Sequence, residues 1–205
     1  MDKCIVLSVE SGSYTNRAGD EVTYCKMYYF NTSDKHDSRV QKGYTILVKD
    51  VYPNFTIDDF SSLPGAYKLS FRPVRNRMGR LEPQLKDIEF ISKFDIPRNN
   101  DFMLLLGVKK YDFQDQDGKP VRGVKFFGID PLGYEESSEL IGYPLIETNI
   151  KTTFDVFTQI PAYYDVVFEQ VRGRNGNALY KPTMIQHKAA FTFPSVPNNA
   201  PVSTT

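Results

Sequence analysis

Internal repetition is the sequence feature that most restricts the fold, because a chain made of two similar segments folds as two similar units. Segment 56–79 aligns without gaps with 153–176 and shares about ten identities over 24 positions. Further upstream, Leu7-Ser8-Val9 aligns with Leu106-Gly107-Val108 at an offset that is two residues larger. The sequence therefore predicts two copies of one unit, at residues 1–96 and 97–193. A flexible Pro/Asn/Ser-rich tail is predicted at residues 194–205.

Strand patterns dominate both predicted units. Polar and apolar residues alternate along 68–72 and 86–91, as they do in half-buried strands. The best helical candidates, 56–62 and 152–159, are short, and each stops close to a proline. A small all-β unit must close or cover its sheet edges. We therefore predict an all-β chain of two tandem five-stranded OB-type barrels, each with at most one short helix.

Signals for an enzyme are nearly absent from the sequence. His36 and His187 have no neighbours at metal-ligand spacing, and no phosphate-binding loop or nucleophile elbow occurs. The stretch Asp115-Gln116-Asp117-Gly118 lacks the carboxylates that a calcium loop needs on either side, so it is interpreted as a hairpin turn. We predict that the chain is not an enzyme, has no catalytic residues, and uses no cofactor or metal.

The expected cellular compartment and the balance of charged side chains further restrict the class of protein. No apolar run of about 18 residues occurs, and the first residues do not resemble a secretory signal. Cys4 and Cys25 are therefore interpreted as reduced thiols, and a cytoplasmic protein without membrane association is predicted. The 25 basic side chains balance 25 acidic ones, which argues mildly against a partner held by bulk electrostatics.

A basic hairpin recurs in both predicted units. Segment 68–80 holds five cations and no acid, and its Arg75-Asn76-Arg77 is matched by Arg172-Gly173-Arg174 in the second unit. Guanidinium groups bind phosphates in a bidentate manner, so a repeated Arg-x-Arg-x-Gly motif favours phosphate binding over a merely soluble surface.

Aromatic residues interleave with cations elsewhere. The chain has 13 Tyr and 15 Phe but no Trp. Lys26 and Tyr28 in unit one, and Arg122, Lys125 and Phe127 in unit two, combine rings with charge. Barrel proteins hold single strands by stacking bases on rings while cations follow the backbone. At least half of the rings are expected in the core.

Four ordered motifs carry a family resemblance: Tyr44-Thr45-Ile46-Leu47-Val48-Lys49, Leu63-Pro64-Gly65-Ala66-Tyr67-Lys68-Leu69, Arg77-Met78-Gly79-Arg80-Leu81 and Leu85-Lys86-Asp87-Ile88-Glu89-Phe90-Ile91. With Asp117-Gly118-Lys119-Pro120 and Tyr143-Pro144 in unit two, the chain resembles the filamentous-phage helix-destabilising protein family of the gene V type. The resemblance implies OB-type barrels that bind single-stranded DNA cooperatively and without sequence preference, as symmetric dimers of one-unit chains. It also implies DNA contacts at Arg17, Tyr44, Lys49, Lys119 and Tyr143.

The resulting hypothesis is a sequence-independent single-stranded DNA-binding protein that supports replication or recombination of a phage or mobile element. Preference for RNA, self-association and the identity of replication partners stay open. The alternative is a non-enzymatic structural or protein-interaction module, such as a virion or assembly component. The predicted nucleic-acid-binding residues are Arg17, Lys26, Tyr28, Tyr44, Lys49, Arg72, Arg75, Arg77, Arg80, Lys119, Arg122, Lys125, Phe127, Tyr143, Arg172 and Arg174.

Overall fold

The structure of the chain, a computed structural model, describes residues 2–60, 62–76, 78–114, 116–173 and 177–193. Their secondary structure is almost entirely strand, so the all-β prediction is confirmed. The predicted tail at 194–205 and the predicted site residues Arg77 and Arg174 lie outside the described residues.

The same succession of seven strands occurs in each half. The first half contains β1 (Asp2–Thr15), β2 (Glu21–Asn31), β3 (Lys35–Asp37), β4 (Gln41–Tyr44), β5 (Leu47–Asp50), β6 (Gly65–Arg75) and β7 (Leu81–Lys93). The second contains β8 (Met103–Gln114), β9 (Pro120–Ile129), β10 (Glu135–Glu136), β11 (Leu140–Gly142), β12 (Ile146–Ile150), β13 (Ala162–Arg172) and β14 (Ala178–Ala190). The two short-helix candidates are single 3-10 turns, at Ile57–Asp59 and Phe154–Val156.

Five antiparallel strands of each half form one barrel-like unit. In unit one, β1 pairs with β2 and β6, β5 pairs with the far edge of β2, and β7 pairs with β6. In unit two, the order β12-β9-β8-β13-β14 repeats this arrangement, and β12 approaches β14. Each half therefore contributes a five-stranded set built around one long first strand.

Alternation along the strands sorts the side chains between core and surface. On β2, Cys25, Met27 and Tyr29 are buried and alternate with half-buried outward side chains. On β9, Val124 and Phe126 are buried in the same way. Each unit thus has its own apolar interior, and the intervening residues form an outer face.

Each sheet is completed by a hairpin from the other half. The β3–β4 hairpin of the first half pairs with β8, and the β10–β11 hairpin of the second half pairs with β1. The hairpin pairs with a strand edge that would otherwise be open, because β6 pairs with β1 only as far as Val6 and β11 pairs with Ser8 to Glu10. Without the hairpin, this stretch of β1 would present unpaired backbone groups. The two units therefore exchange strands, which the sequence repeat did not predict.

Glycines permit the close crossing of the exchanged hairpins. Gly43 has a φ of +78° and pairs with Gly107 of β8. A Cβ atom on Gly107 would lie 2.1 Å from the carbonyl oxygen of Tyr44. At the equivalent crossing in the other unit, Gly142 has a φ of +103° and pairs with Ser8. A Cβ atom at Gly43, Gly107 or Gly142 would lie 2.1 to 2.3 Å from a backbone oxygen, so these three positions require glycine.

A third apolar cluster lies between the two units. It contains Ile5 and Leu7 of β1, Leu104 and Leu106 of β8, and Phe193 after β14. Because both halves supply its buried side chains, the two units are packed against one another as well as linked by exchanged strands.

Candidate nucleic-acid interface

A groove on the second unit brings cations and rings together. It has a volume of about 360 Å³ and lies between the exchanged strand β4 and the outer face of β8 and β9. Its lining residues are Gln41, Tyr44, Thr45, Val108, Lys109, Lys110, Tyr111, Lys125 and Phe127. The groove therefore depends on both halves of the chain, because its Tyr44 wall belongs to the first half.

A second, larger cleft continues from this groove. It measures about 720 Å³ and borders the groove along β8, where Lys110 and Tyr111 line both. Its further lining includes Arg122, Lys151 and Thr152, together with Asp112 and Asp155. We call the groove and the cleft together the basic face.

Lysines stand opposite one another at the centre of the basic face. Lys109 of β8 is directly opposite Lys125 of β9 in the strand pairing. Like charges in such cross-strand positions repel one another. Lys125 binds Glu147 of β12, whereas the Lys109 ammonium has no ion pair or hydrogen bond within the described ranges. An anion bound between these two side chains would relieve the repulsion.

The remaining cations of this face are held in different ways. Arg122 Nε lies 3.0 Å from Asp112 Oδ2, and both side chains are largely exposed. Lys110 Nζ lies 5.0 Å from the centroid of the Phe154 ring. Lys42, next to the groove, donates to the carbonyl oxygen of Phe157 at 2.7 Å. Exposed ion pairs are weak, so Arg122 can exchange its carboxylate for a phosphate at small cost.

The equivalent face of the first unit has a carboxylate where the second unit has a lysine. Glu10 occupies the position of Lys109 and is opposite Lys26, the counterpart of Lys125. Its carboxylate accepts hydrogen bonds of 2.9 Å from the hydroxyls of Tyr24 and Tyr28. We call this surface the acidic face.

The acidity of the first unit extends over four positions. Glu10, Asp50, Asp59 and Glu139 align with Lys109, Asn149, Val156 and Val40. Glu10 and Glu139 both raise the pKa of Tyr24. Burial, followed by the charges of Asp50 and Asp59, raises the pKa of the Cys25 thiol to about 11. Burial and the hydrogen bond to Glu10 raise the pKa of Tyr28 to about 12.

Four predicted site residues lie on the basic face. Tyr44, Lys125 and Phe127 line its groove, and Arg122 lines its larger cleft. Tyr44 is half-buried and stacks on Phe30 with ring centroids 4.3 Å apart. Its ring is therefore held in place by the core and exposes part of its surface to the groove.

Apart from Tyr44, the predicted residues in the first half lie elsewhere. Lys26 Nζ lies 4.5 Å from the Tyr24 ring centroid, on the same acidic face as Tyr28. Arg17 is exposed in the turn between β1 and β2, and Lys49 is half-buried on β5 opposite Met27. None of these residues contributes to the groove lining. Tyr28 donates its hydroxyl to the Glu10 carboxylate, so a negative charge lies next to its ring.

The arginine-bearing hairpins present mostly exposed cations. Arg72 donates from Nε and Nη2 to the Gln84 side chain, and Arg75 donates to the carbonyl oxygen of Gly79. Arg80 and Arg172 are exposed. Within the described ranges, none of these four arginines pairs with a carboxylate. Lys119 is exposed in the turn between β8 and β9.

Tyr143 requires a correction. Its side chain is only 6% exposed and belongs to the cluster between the units, with the Tyr134 ring against it. Burial raises the pKa of its hydroxyl above the ordinary value. The exchanged hairpin carries this ring into the core, so it cannot offer a stacking surface to a base.

The sequence interpretation missed several residues of this face. Lys109, Lys110 and Tyr111 line the groove, and Lys151 lines the cleft. A comparison of charge between the two repeats would have indicated them, because Lys109-Lys110 aligns with Glu10-Ser11.

Comparisons with protein-family models, curated proteins and solved structures find no match. Across the described ranges, no three His, Cys, Asp or Glu side chains are grouped where they could hold a metal ion. The described residues also include no helix that is long and apolar enough to span a membrane.

Proposed function

We propose that this chain binds single-stranded nucleic acid on the basic face of its second unit. The observation that carries the proposal is the groove in which Lys109 and Lys125 lie beside the rings of Tyr111 and Phe127. In OB-type folds, oligonucleotides bind on the outer face of the strands that correspond to β9 and β12. Stacked rings and a cationic groove are the features that hold single strands.

The chemistry favours an unpaired strand over a duplex. Rings inside a groove can stack only on bases whose faces are free, and every base has such a face. Lysines bind phosphate as point charges and do not distinguish sequences. Binding is therefore expected to be independent of sequence. The zero net charge of the chain is compatible with this function because binding depends on the local charge of the groove, where Lys109 and Lys125 lie close together.

The biological role proposed here rests on the gene V type resemblance. A protein of that type would coat single-stranded DNA during replication or recombination of a phage or mobile element. The basic face supplies the binding step of such a role, and DNA is the proposed ligand with RNA as the competitor to be measured beside it.

A titration tests the proposal. Fluorescence anisotropy of labelled oligo-dT is measured against protein concentration at several salt concentrations. We expect binding that weakens with salt, with log affinity changing by about 0.7 per phosphate neutralised for each unit of log salt. Duplex DNA of the same length serves as the control and should bind more weakly. Absence of oligo-dT binding at about 10 μM protein in low salt would refute the proposal.

A structural or protein-interaction module is the second candidate, and one observation favours it. The β13–β14 hairpin exposes Val167, Leu179 and Met184. Val167 and Met184 are paired across the two strands, so they form a small apolar patch. Sedimentation of the protein without nucleic acid separates the two candidates, because a module of this kind would self-associate or capture a protein while ignoring oligo-dT.

A further inference from the structure

A third concavity lies beside the basic face, between β12 and the β13–β14 hairpin. It has a volume of about 440 Å³ and is lined by Ile146, Glu147, Thr148, Phe168 and Tyr180. We call it the arm cleft. Its lining combines two rings with the hydroxyl of Thr148 and a carboxylate.

The Tyr180 ring is the most accessible part of the arm cleft. Its side chain is 66% exposed, whereas Phe168 is half-buried against the interior of unit two. Phe168 pairs with Pro182, and Tyr180 pairs with Gln170. The two rings are therefore close neighbours on one face of the hairpin, because alternate residues point to the same side. Arg172 follows Gln170 by two positions and shares this face.

The first unit has no comparable surface. Its aligned residues are Pro83 in place of Tyr180 and Val48 in place of Glu147. Proline offers no planar π-face on which a base could stack. Arg75, the counterpart of Arg172, donates to the carbonyl oxygen of Gly79. Within the described residues, Arg172 has no such bond. Among the described residues, the Tyr180 ring is thus specific to the unit that carries the basic face, and Arg172 is exposed beside it.

Glu147 connects the arm cleft to the groove. It lies opposite Phe127 in the pairing of β12 with β9, binds Lys125, and lines the arm cleft. Neighbouring strands are about 5 Å apart. A strand that leaves the groove at Phe127 and crosses β12 therefore reaches Tyr180 without a gap in the binding surface.

We propose that the arm cleft is a second base-stacking subsite for the same unpaired strand, with Tyr180 as the stacking ring and Arg172 as a phosphate ligand. The inference rests on the proposed function and extends it by naming where the strand goes after it leaves the groove. The ligand is a nucleobase with its adjoining phosphate.

The absence of Trp from the chain permits a site-specific test. Tyr180→Trp creates a single indole in the arm cleft, and Phe127→Trp creates one in the groove. Stacking of a base on an indole changes its fluorescence. With oligo-dT of about 12 nucleotides, we expect the emission of both variants to change. Pro83→Trp, at the equivalent position of unit one, is the matched control and should not respond.

Affinity provides the second measurement. Tyr180→Ala should weaken binding of that oligonucleotide about tenfold, whereas Tyr180→Phe should retain it, because one stacked base is lost in the first case only. Urea unfolding verifies that each variant is folded. A response of Phe127→Trp without one of Tyr180→Trp overturns the subsite and leaves the proposed function intact. Failure of both reporters, together with no anisotropy change, overturns both.

Discussion

The acidic face and the basic face occupy equivalent surfaces of two related units, yet they are suited to different partners. The strand pairing is the same in both, with Glu10 opposite Lys26 in one and Lys109 opposite Lys125 in the other. The backbone therefore does not determine which unit binds an anion. The exchange of a carboxylate for an ammonium at one position changes the local charge of the surface, while the buried residues keep the same fold.

The two faces also differ in whether their charged side chains have hydrogen-bond partners within the protein. In the acidic face, both oxygens of Glu10 accept tyrosine hydroxyls, so the charge is already solvated by the protein. In the basic face, the ammonium of Lys109 has no ion pair or hydrogen bond in the described part of the chain. A surface that is left electrostatically incomplete in this way is the one expected to bind a ligand.

The largest expected effect is on stability and concerns the two hairpin crossings. Alanine should be destabilising at one crossing and tolerated at the other. Gly107→Ala would place a Cβ against the Tyr44 carbonyl, so we expect a loss of about 3 kcal/mol in the free energy of unfolding. Ser8→Ala, at the equivalent position, removes a buried hydroxyl that lacks a partner in the described residues and should change stability by less than about 1 kcal/mol. Urea unfolding measures both. Equal losses would mean that the crossings are equivalent.

The second effect tests the charge difference between the faces directly. Lys109→Glu combined with Lys125→Glu should weaken oligo-dT binding about 30-fold, because two phosphate ligands become repulsive. Lys26→Glu is the matched control in unit one and should leave the affinity within about twofold. Anisotropy titration measures both variants. Comparable losses in the two would show that the strand contacts both units.

A smaller effect on affinity is expected at Glu147, the carboxylate that binds Lys125 on the basic face. Glu147→Gln frees Lys125 for phosphate, so affinity should rise about threefold and the salt dependence should steepen by about 0.7. Glu89→Gln, which removes the 2.7 Å pair with Lys68 in unit one, is the control and should change neither quantity. Unchanged affinity in Glu147→Gln would exclude Lys125 as a phosphate ligand.

The smallest effect is a pH dependence of the unfolding free energy, caused by Tyr28 on the acidic face. The pKa of Tyr28 is raised from 10.0 to about 12, so the neutral hydroxyl stabilises the fold fully below pH 10. This contribution is lost as the pH rises from 10 to 12. Wild-type unfolding free energy should therefore fall more steeply over that range than in Tyr28→Phe. Phe127, the counterpart in unit two, cannot ionise. Parallel pH curves for the two proteins would contradict the assignment.

The fold was largely predictable because its signals are local and repeated. Period-two alternation identified strands such as β6 and β7, and the shared segment 56–79 identified the duplication. The hairpin exchange was not predictable in the same way. Strand β4 pairs with β8 through three residues, Gln41 to Gly43, whose own pattern does not specify which distant edge they join.

The candidate site was predictable only in part, for a related reason. Lys125 and Phe127 could be found because rings and cations adjoin in one strand. The groove, however, forms where β4 of one half meets β8 of the other, so Tyr44 and Lys109 become neighbours only through exchange. The same exchange buries Tyr143, which the family resemblance had placed at the surface.

Fusion combined with hairpin exchange has an evolutionary consequence. In a dimer of identical chains, every substitution appears on both subunits, so a surface cannot become acidic on one side and basic on the other. A fused pair escapes that constraint. The first half can lose its own ligand-binding residues. The fold still requires this half, because without it the edge of β8 would lose β4 and the groove would lose its Tyr44 wall. Asymmetry between the halves and mutual dependence of the halves therefore arise from the same architecture.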